Sequence, residues 1–564
     1  MWSRKRQYSP KATAPSGPTS SRWATCRCLS TTMTNHRRYC KARGAGVKSL
    51  APRGFLVVRQ SKGAMTSPNA QPTKRAKLTK PAKRADRFHL TTAIPYVNAR
   101  PHIGHVLEWF QADVINRYQR LLGKRVMFTS GADENSLKNV QAAEKAGVPV
   151  SDWLDKYAQI FQDAYQRLGI ELDEFRRGSD QTKHWPGVQQ LWRATDQAGD
   201  LYKKTYTGLY CVGCECFYKP EELVDGRCPQ HQESPQQVSE ENYFFRLSKY
   251  QRQLRLLIET DQLKIVSEKF KKEVLSFIDQ GLEDFSVSRR AGRARGVGVP
   301  VPGDDSQVMY VWFDALTIYM TALGWGYDHQ RWLRFWPADV HFIGKDILRF
   351  HAVYWPAILL SAGLPLPKAI SVHGFLTADG RKMSKSLGNV VDPFQLIERY
   401  GLEPVRYYLL RYIPSHGDGD FSYDSFERLY TAELANGLGN LCSRVAALCH
   451  RAGLAGGDGQ AGADQLPAFS PQVAARLDEL ELGEALEIIN QRVAAADQFL
   501  SDTAPWTKRV EAQAEVLRAA VQQIVQIATN LRPFLPQTSR AILEHFRQQR
   551  VAALAPLFPR LEQS

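Results

Sequence analysis

Hydrophobic and polar residues follow two different spacings in the segment that starts at residue 88. FHLTTAI (88–94) is a short apolar run with β-branched residues, which is typical of a buried strand. Beyond a loop, hydrophobic residues recur at helical spacing and stop before Gly123: Val106, Leu107, Phe110, Val114, Tyr118, Leu121 and Leu122. RVMFTSG (125–131) predicts the next strand. A strand, a helix and a strand in this order predict a parallel βαβ unit with a right-handed crossover.

The pattern changes several times after this unit. Residues 137–200 look mostly helical, and 201–285 are rich in turn residues. Apolar segments of α/β character return at 308–325 and 339–363. From residue 426 onward nearly every segment is an amphipathic helix, apart from a glycine-rich connection within it. We therefore predict an α/β fold, in which a Rossmann-like parallel sheet is split by a connective insert and followed by an all-α helix bundle.

The net charge of +17 first suggests a protein that binds nucleic acid, but its distribution changes that interpretation. Residues 1–85 hold 20 Lys and Arg and no Asp or Glu, whereas the remaining residues hold 54 basic and 57 acidic side chains. A basic leader without acids resembles an organelle transit peptide, and we favour mitochondrial import into the matrix. The alternatives are a basic tail that touches nucleic acid and a nuclear signal at 74–84, and Met33 or Met65 could be alternative starts.

Membrane and disulfide-rich classes do not fit the composition. The chain contains no run of about 18 apolar residues, so we expect no membrane span. The cysteines form no disulfide framework, which suits a reducing compartment. Two pairs of metal-binding residues, with spacing suited to tetrahedral zinc, are Cys211, Cys214, Cys228 and His231. Cys216 could replace one of them, and the rival interpretation is a metal-free group of reduced thiols; we favour structural zinc without a catalytic role.

Two motifs suggest nucleotide chemistry. His102-Ile103-Gly104-His105 lies between the first strand and the first helix, where doubly wound sheets bind nucleotides and a helix N-terminus favours phosphate. ADGRKMSKSLGN (378–389) places Lys382 and Lys385 between two glycines, so that a mobile loop could close on a triphosphate. Taken separately, each motif also fits an ordinary surface loop, with two histidines in one case and solvated lysines in the other.

Together the two motifs resemble the paired signatures of class I aminoacyl-tRNA synthetases. Six further segments narrow the resemblance to the methionyl-tRNA synthetase family, over about residues 86–550: GADEN (131–135), EENYFFRLSKY (240–250), EVLSFIDQGLEDFSVSR (273–289), YVWFDALTIY (310–319), HFIGKDILRFHAVYWPAILL (341–360) and ANGLGNLCSR (435–444). The resemblance implies that methionine and ATP form methionyl-adenylate, which is then transferred to the terminal adenosine of tRNA(Met).

The family pattern also implies roles for individual residues. His102, His105, Lys382 and Lys385 would act in catalysis, and ATP with Mg²⁺ would also contact Gly104, Gly344 and Asp346. The residues that match methionine-binding positions are Ile94, Tyr96, Asp133, Trp312, Ala315, Tyr319, Ile347 and His351. The alternative for Trp312 and Tyr319 is plain core packing. The insert leaves no room for a separate editing domain, which agrees with a methionine enzyme.

The C-terminal helices are expected to recognise tRNA. The residues that match anticodon-binding positions are Asn436, Asn440, Arg444, Pro505 and Trp506. The first three lie four residues apart, which predicts one helix face, and Pro505 should begin or kink a later helix. Trp506 could stack on an unpaired base. The alternative is the polar face of a bundle helix together with a buried tryptophan.

The resemblance divides the chain into six parts. They are a leader (1–85), the first catalytic half (86–200), the connective insert (201–285), the second catalytic half (286–375), the KMSKS loop with a stem-contact region (376–430) and the anticodon-binding helices (431–564). We expect a monomer, because no dimerisation domain follows the helices. Asn135-Ser136 and Val297 depart from the family's His-Gly and Trp. A synthetase-like RNA-binding protein without catalysis and a cysteine enzyme are the alternative functions.

Overall fold

The computed structural model describes residues 86–212, 216–229, 232–383, 389–454, 466–548 and 550–561, so the predicted leader lies outside the described residues. The first part contains β1 (Arg87–Thr92), α1 (Ile103–Leu121), β2 (Arg125–Ala132), α2 (Leu137–Ala146), α3 (Val150–Arg167), β3 (Glu174–Arg177) and α4 (Trp185–Gln197). The predicted βαβ unit is confirmed, since β1 and β2 pair in parallel. After α1 the chain turns at Gly123, whose φ of 82° is a left-handed conformation that suits glycine.

The middle of the chain is mainly antiparallel. Its elements are β4 (Leu201–Cys211), β5 (Cys216–Tyr218), β6 (Gln236–Phe245), α5 (Gln251–Glu259), β7 (Lys264–Val266), α6 (Glu268–Asp279), β8 (Phe285–Ser286), β9 (Ser288–Arg290), β10 (Pro300–Val301) and β11 (Asp304–Met309). One sheet has the order β5-β4-β6-β8 and another the order β10-β11-β9. The antiparallel pair of β4 and β6 leaves most of its residues at least partly exposed to solvent, as expected for an insert that projects from a core.

The next part returns to the α/β pattern. Its elements are α7 (Val311–Thr321), α8 (His329–Phe335), β12 (Val340–Gly344), α9 (Trp355–Ser361), β13 (Ala369–His373), β14 (Leu376–Ala378), β15 (Arg381–Lys382), α10 (Pro393–Tyr400), α11 (Leu402–Arg411), β16 (Gly419–Phe421) and α12 (Tyr423–Leu429). A π-helical turn, Phe350–Tyr354, precedes α9. A small sheet with the order β15-β14-β16 follows β13 directly along the chain.

The core sheet positions the candidate site. Its described strands have the order β3-β2-β1-β12-β13-β7 and all pair in parallel, as predicted for a Rossmann-like core. The strand order reverses between β1 and β12. Doubly wound sheets bind ligands in the crevice outside the carboxyl ends of their strands at such a point, so the crevice of the candidate site is expected there. Strand β7 comes from the range 201–285, so the predicted insert supplies one edge strand of the core sheet. Ile265 and Val266 are buried there beside β13.

The C-terminal part is helical, as predicted. A π-helical turn, Tyr430–Gly439, leads into α13 (Asn440–Arg451), which is followed by α14 (Pro471–Asp478), α15 (Leu482–Thr503), α16 (Val510–Leu531) and α17 (Pro536–Phe546). These helices and α1 contribute to one continuous apolar cluster. Within the described residues, every helix is too short or too polar to cross a bilayer.

Candidate functional site

The crevice between β1 and β12 collects residues from distant parts of the chain. Tyr96 follows β1, Asp133 follows β2, Asp346 follows β12 and His373 ends β13. Tyr96 and Asp133 form a parallel bridge beyond the strands, so the two loops continue side by side. The parallel sheet therefore places four loop segments at one edge, as the sequence predicts for residues at the carboxyl ends of strands.

The two signature histidines close the N-terminus of α1. The backbone N–H of Gly104 donates to Nδ1 of His102 at 3.1 Å, and the backbone N–H of His102 donates to Nδ1 of His105 at 3.1 Å. Their rings lie 3.8 Å apart between centroids. Because each Nδ1 accepts a hydrogen bond, a neutral ring carries its proton on Nε2. The cap thus leaves two Nε2–H donors for a ligand.

Gly104 lies close to the ring of His102, so that an alanine at this position would displace the ring by a few tenths of an ångström. A Cβ at residue 104 would lie 3.0 Å from Cε1 and Nδ1 of His102. Burial, followed by the nearby His102 and His373, lowers the pKa of His105 well below its usual value. His105 is therefore neutral at pH 7 and can donate a hydrogen bond to a phosphate oxygen without adding charge.

Tyr319 and His351 form a buried hydrogen-bonded pair. Nδ1 of His351 lies 2.9 Å from the carbonyl oxygen of Ile347, and its Nε2 lies 2.8 Å from the hydroxyl of Tyr319. Burial lowers the pKa of His351 to about 4, so the ring is neutral. The Ile347 carbonyl fixes the proton on Nδ1, and Nε2 accepts from Tyr319. Tyr319 is buried, as core packing would require, but its hydroxyl has a specific partner.

Trp312 lies beside this pair. Its indole stacks on Phe350 with ring centroids 3.8 Å apart, and it meets the His351 ring edge-on at 6.5 Å. The indole Nε1 is buried and has no hydrogen-bond partner among the described residues. Ala315 lies one turn further along α7 and is buried. Helix α7 and the π-helical turn thus contribute aromatic rings to one apolar cluster. A thioether contacts aromatic rings favourably.

Asp133 is held by backbone contacts at the end of β2. Its N–H donates to the carbonyl of Pro95 at 2.9 Å, and its own carbonyl accepts from Asn139 at 2.8 Å. The carboxylate side chain is buried next to Tyr96, and the ammonium of Lys138 lies 4.2 Å from the Tyr96 ring centroid. Ile94 lies in the loop that contains Tyr96; it is partly buried and packs against the apolar cluster that contains Tyr319. A buried carboxylate in this position suits an ammonium ligand.

Gly344 and Asp346 meet at the end of β12. A Cβ at residue 344 would lie 2.8 Å from Oδ1 of Asp346, so an alanine there would push this carboxylate aside. The Asp346 side chain is exposed at the mouth of the crevice, where its two oxygens can accept hydrogen bonds from a ligand.

Asn135 and Val297, where the sequence departs from the family pattern, lie near each other in the structure. Nδ2 of Asn135 donates to Oδ2 of Asp314 at 2.6 Å and to the carbonyl of Gly178 at 2.8 Å. The other oxygen of Asp314 lies 2.5 Å from Nε2 of the buried His184. Asn135 and Val297 line the same cavity of about 20 Å³. Both departures therefore lie at the joint between the loop after β2 and the segment before β10.

Sequence reasoning missed two residues of the crevice. Glu108 lies one turn after His105 on α1, and His373 ends β13; their side chains meet at 3.1 Å between Oε2 and Nε2. Glu108 is the one charged residue in the otherwise apolar run 106–110, and a charge within such a run is the signal that could have identified it. His373 follows an apolar strand and has no comparable signal.

Several predicted residues lie outside the described residues. These are Lys385, Cys214 and His231, and the side chain of Lys382 is also not described although its backbone belongs to β15. Cys211 and Cys228 are buried. Within the described ranges, no cluster of three or more side chains could hold a metal ion. The predicted zinc site and lysine loop stay predictions.

The predicted anticodon residues lie in different local structures. Asn436 belongs to the π-helical turn, whereas Asn440 and Arg444 belong to α13, so the simple four-residue spacing does not describe all three. Arg444 pairs with Asp497 of α15. Pro505 and Trp506 form a separate 3₁₀ turn between α15 and α16, which replaces the predicted helix start or kink.

The exposure of Trp506 separates the two interpretations of this residue. Its side chain is 51% exposed, so it is not the buried tryptophan of the alternative interpretation. Pro505, next to it, is buried. An exposed ring on an anchored turn has the arrangement that base stacking requires.

Comparisons with known proteins agree with this geometry. The family model described as tRNA synthetases class I (M) matches residues 88–239 and 220–446. The methionine–tRNA ligase of Brucella suis biovar 1 is 40% identical over 475 residues, or 81% of this chain and 91% of the relative. That of Thermotoga maritima is 38% identical over 472 residues, or 81% and 74%. The solved Mycobacterium tuberculosis methionyl-tRNA synthetase in complex with methionyl-adenylate matches with a TM-score of 0.78 at 36% identity, covering 84% of this chain and 100% of that one.

Proposed function

The chain belongs to the methionyl-tRNA synthetase family of class I tRNA synthetases, and from this premise we propose a methionine–tRNA ligase that works in mitochondrial translation. The enzyme activates methionine with ATP to methionyl-adenylate and transfers it to the 3′-terminal adenosine of tRNA(Met). One observation carries the proposal: the signature histidines cap the helix that follows β1, the Tyr319–His351 pair lies against His341 of β12, and the strand order reverses between these two strands.

The phosphates of ATP are bound at the N-terminus of α1. The Nε2–H groups of His102 and His105 point away from the helix cap and donate to phosphate oxygens. Lys382, at the end of β15, and Lys385, three residues further along the sequence, bring positive charge, and Mg²⁺ accompanies the nucleotide. Asp346 accepts hydrogen bonds from the ribose hydroxyls. Catalysis then consists mainly of positioning and of neutralising the charge on the α-phosphate.

Methionine enters the apolar space on the other side of the crevice. Asp133 and the carbonyl of Ile94 bind its ammonium group, and the thioether packs between Tyr96, Trp312 and the rings behind them. The neutral Tyr319–His351 pair closes this space, with Ala315 and Ile347 completing its wall. The Tyr319–His351 pair is buried and neutral, which supports this arrangement. A hydrophobic side chain that packs against the pair therefore displaces no charged group.

Transfer RNA binding, zinc and location are further parts of the proposal. Asn436, Asn440, Arg444, Pro505 and Trp506 recognise the anticodon, and the exposure of Trp506 supports this role. Cys211, Cys214, Cys228 and His231 would hold a structural zinc; of these, Cys211 and Cys228 are described, and their burial fits thiolate ligands. The acid-free leader supports import into the mitochondrial matrix. The working form is a monomer.

The deciding experiment is ATP–pyrophosphate exchange with each amino acid in turn. We expect exchange with methionine alone, and charging of tRNA(Met) when the tRNA is added. Well-folded protein without any exchange would support a non-catalytic RNA-binding protein, and exchange with cysteine would support the cysteine enzyme.

Lys385→Ala should lower the exchange rate far more than methionine affinity. Metal analysis, light scattering and a reporter fused to residues 1–85 test zinc, the monomer and import.

A further inference from the structure

Two buried side chains behind the signature histidines form a hydrogen-bonded pair that the proposed mechanism does not use. Glu108 on α1 is 5% exposed and His373 at the end of β13 is 9% exposed. Oε2 of Glu108 lies 3.1 Å from Nε2 of His373, and Nδ1 of His373 lies 2.8 Å from the carbonyl oxygen of Gly374. The remaining oxygen of Glu108, Oε1, accepts the backbone N–H of Ala93 at 2.8 Å.

These contacts determine how many protons the pair contains. A carbonyl oxygen only accepts, so Nδ1 of His373 carries a hydrogen. The contact between Nε2 and Oε2 needs one further hydrogen, which lies either on the imidazole or on the carboxyl group. In both arrangements the pair has zero net charge. Removing this hydrogen would leave two lone pairs facing each other and a buried negative charge, which is costly in the interior.

The pair also connects three segments of the crevice. Ala93 follows β1 and begins the loop that contains Tyr96, whereas Glu108 lies one turn beyond His105 on α1. His373 is followed by Gly374, whose backbone N–H donates to the carbonyl of Gly417 at 3.1 Å. A Cβ at residue 374 would lie 2.2 Å from that backbone, so the chain is tightly held where it leaves the core sheet for β14.

We infer that Glu108 and His373 form a positioning pair whose single shared proton keeps the crevice neutral behind His102 and His105, so that ATP binds tightly only while that proton is retained. This inference rests on the proposed function, because it assigns the pair to the ATP site. The pair does not contact the reacting atoms in the proposed mechanism. It acts through the helix cap and through the net charge beside the phosphates.

The surroundings of the pair agree with retention of the proton. Burial disfavours a charge on His373, but the hydrogen bond and charge of Glu108 outweigh it and raise the pKa of His373. Burial also raises the pKa of Glu108, so both shifts favour the protonated pair. The other titratable groups around the pair are His102 and His105 on α1, Asp346 after β12, Tyr165 on α3 and Tyr319 on α7.

The sign of the pH effect follows from the raised pKa. The pair holds its proton above the ordinary histidine pKa of about 6.5 and loses it only as the pH rises further. If ATP binds only the protonated form, the KM for ATP in the wild-type protein rises by up to about tenfold for each pH unit above the pKa of the pair.

The test compares Glu108→Gln with the wild-type protein in methionine-dependent pyrophosphate exchange between pH 6 and about 9. The glutamine oxygen still accepts from Ala93, and its amide donates to neutral His373, so no shared proton remains to be lost. We therefore expect the KM for ATP to lose its alkaline rise in this variant, while kcat for the bound enzyme changes less. Glu403→Gln is the matched control, because Glu403 is a buried carboxylate that bonds Gln537 and Thr538 instead.

A second measurement uses the wild-type protein alone. Calorimetric titration with ATP, without methionine, in buffers of different ionisation enthalpy should detect proton uptake near the pKa of the pair, and Glu108→Gln should abolish it. Equal pH dependence of the KM for ATP in wild type and Glu108→Gln, or binding without proton uptake, overturns the inference. A wild-type protein with no exchange at any pH would instead overturn the proposed function.

Discussion

Replacing Arg406 by methionine should destabilise the whole body of the protein, because this buried arginine connects α1 with the C-terminal helices. Its guanidinium pairs with Asp113 at 2.7 Å and donates to the carbonyls of Phe534 at 2.6 Å and Pro533 at 3.1 Å. The Arg406 side chain is 2% exposed, and Asp113 is fully buried. Methionine has a similar length but cannot donate any of these hydrogen bonds.

The size of the effect follows from the groups that lose a partner. Removing one member of a buried ion pair costs about 3–5 kcal/mol, and a buried carbonyl without a donor costs about 1–3 kcal/mol. Asp113 keeps its ion pair with Arg117 at 2.7 Å, which offsets part of the loss. We therefore expect a loss of about 3–5 kcal/mol, a large fraction of the ~5–15 kcal/mol that stabilises a typical protein.

The assay is urea unfolding followed by tryptophan fluorescence, with Arg399→Met as the matched control. Arg399 is 57% exposed and pairs with Glu427 at 3.1 Å, so its replacement should cost about 0–1 kcal/mol. A markedly lower urea midpoint for Arg406→Met alone is the expected result. Equal midpoints for the two variants would refute the reasoning, because they would mean that the buried ion pair contributes no more than a surface pair.

Three further predictions concern the site itself. Gly104→Ala should push the ring of His102 aside and lower the exchange rate by about 10- to 100-fold, with little change in thermal stability; an unchanged rate would show that the cap geometry is not needed. Tyr319→Phe leaves Nε2 of His351 without its donor, so the KM for methionine should rise by about tenfold while the KM for ATP stays constant. Trp506→Ala should weaken tRNA charging, since stacking contributes about 1–3 kcal/mol per base, and leave exchange intact; loss of both activities would indicate a folding role.

The local pattern of hydrophobic residues was enough to predict the first strands and the helix between them. The strands β1 and β2 and the helix between them were expected within about three residues of their bounds, because the strands are short apolar runs and the helix has a clear periodicity that ends before Gly123. The candidate site followed from two short motifs, one of which, His102 to His105, forms the cap of α1. The exposed ring of Trp506 could not be inferred, because the sequence does not show which side of a turn faces solvent.

Long-range pairing was harder to predict. Strand β7 has three residues and lies in a segment rich in turn residues that was predicted to be an insert. It nevertheless pairs with β13, about a hundred positions later. No local pattern indicates such a partner, since a short apolar run suits a strand or a helix equally. The role of Asn135 was similarly hidden, because its partners Gly178 and Asp314 lie 43 and 179 positions away.

Sequence by itself determined the first βαβ unit, the helical character of the C-terminal part, the nucleotide-binding motif and the family, because residue type, spacing and short-range turns are properties of neighbouring positions. Only the tertiary structure decided that Glu108 and His373, which are 265 positions apart, share a hydrogen bond behind the signature histidines. It likewise decided that Arg406 bridges α1 and the C-terminal helices. The physical reason is that a buried polar group must find a partner in space, and packing of the sheet and helices chooses which one.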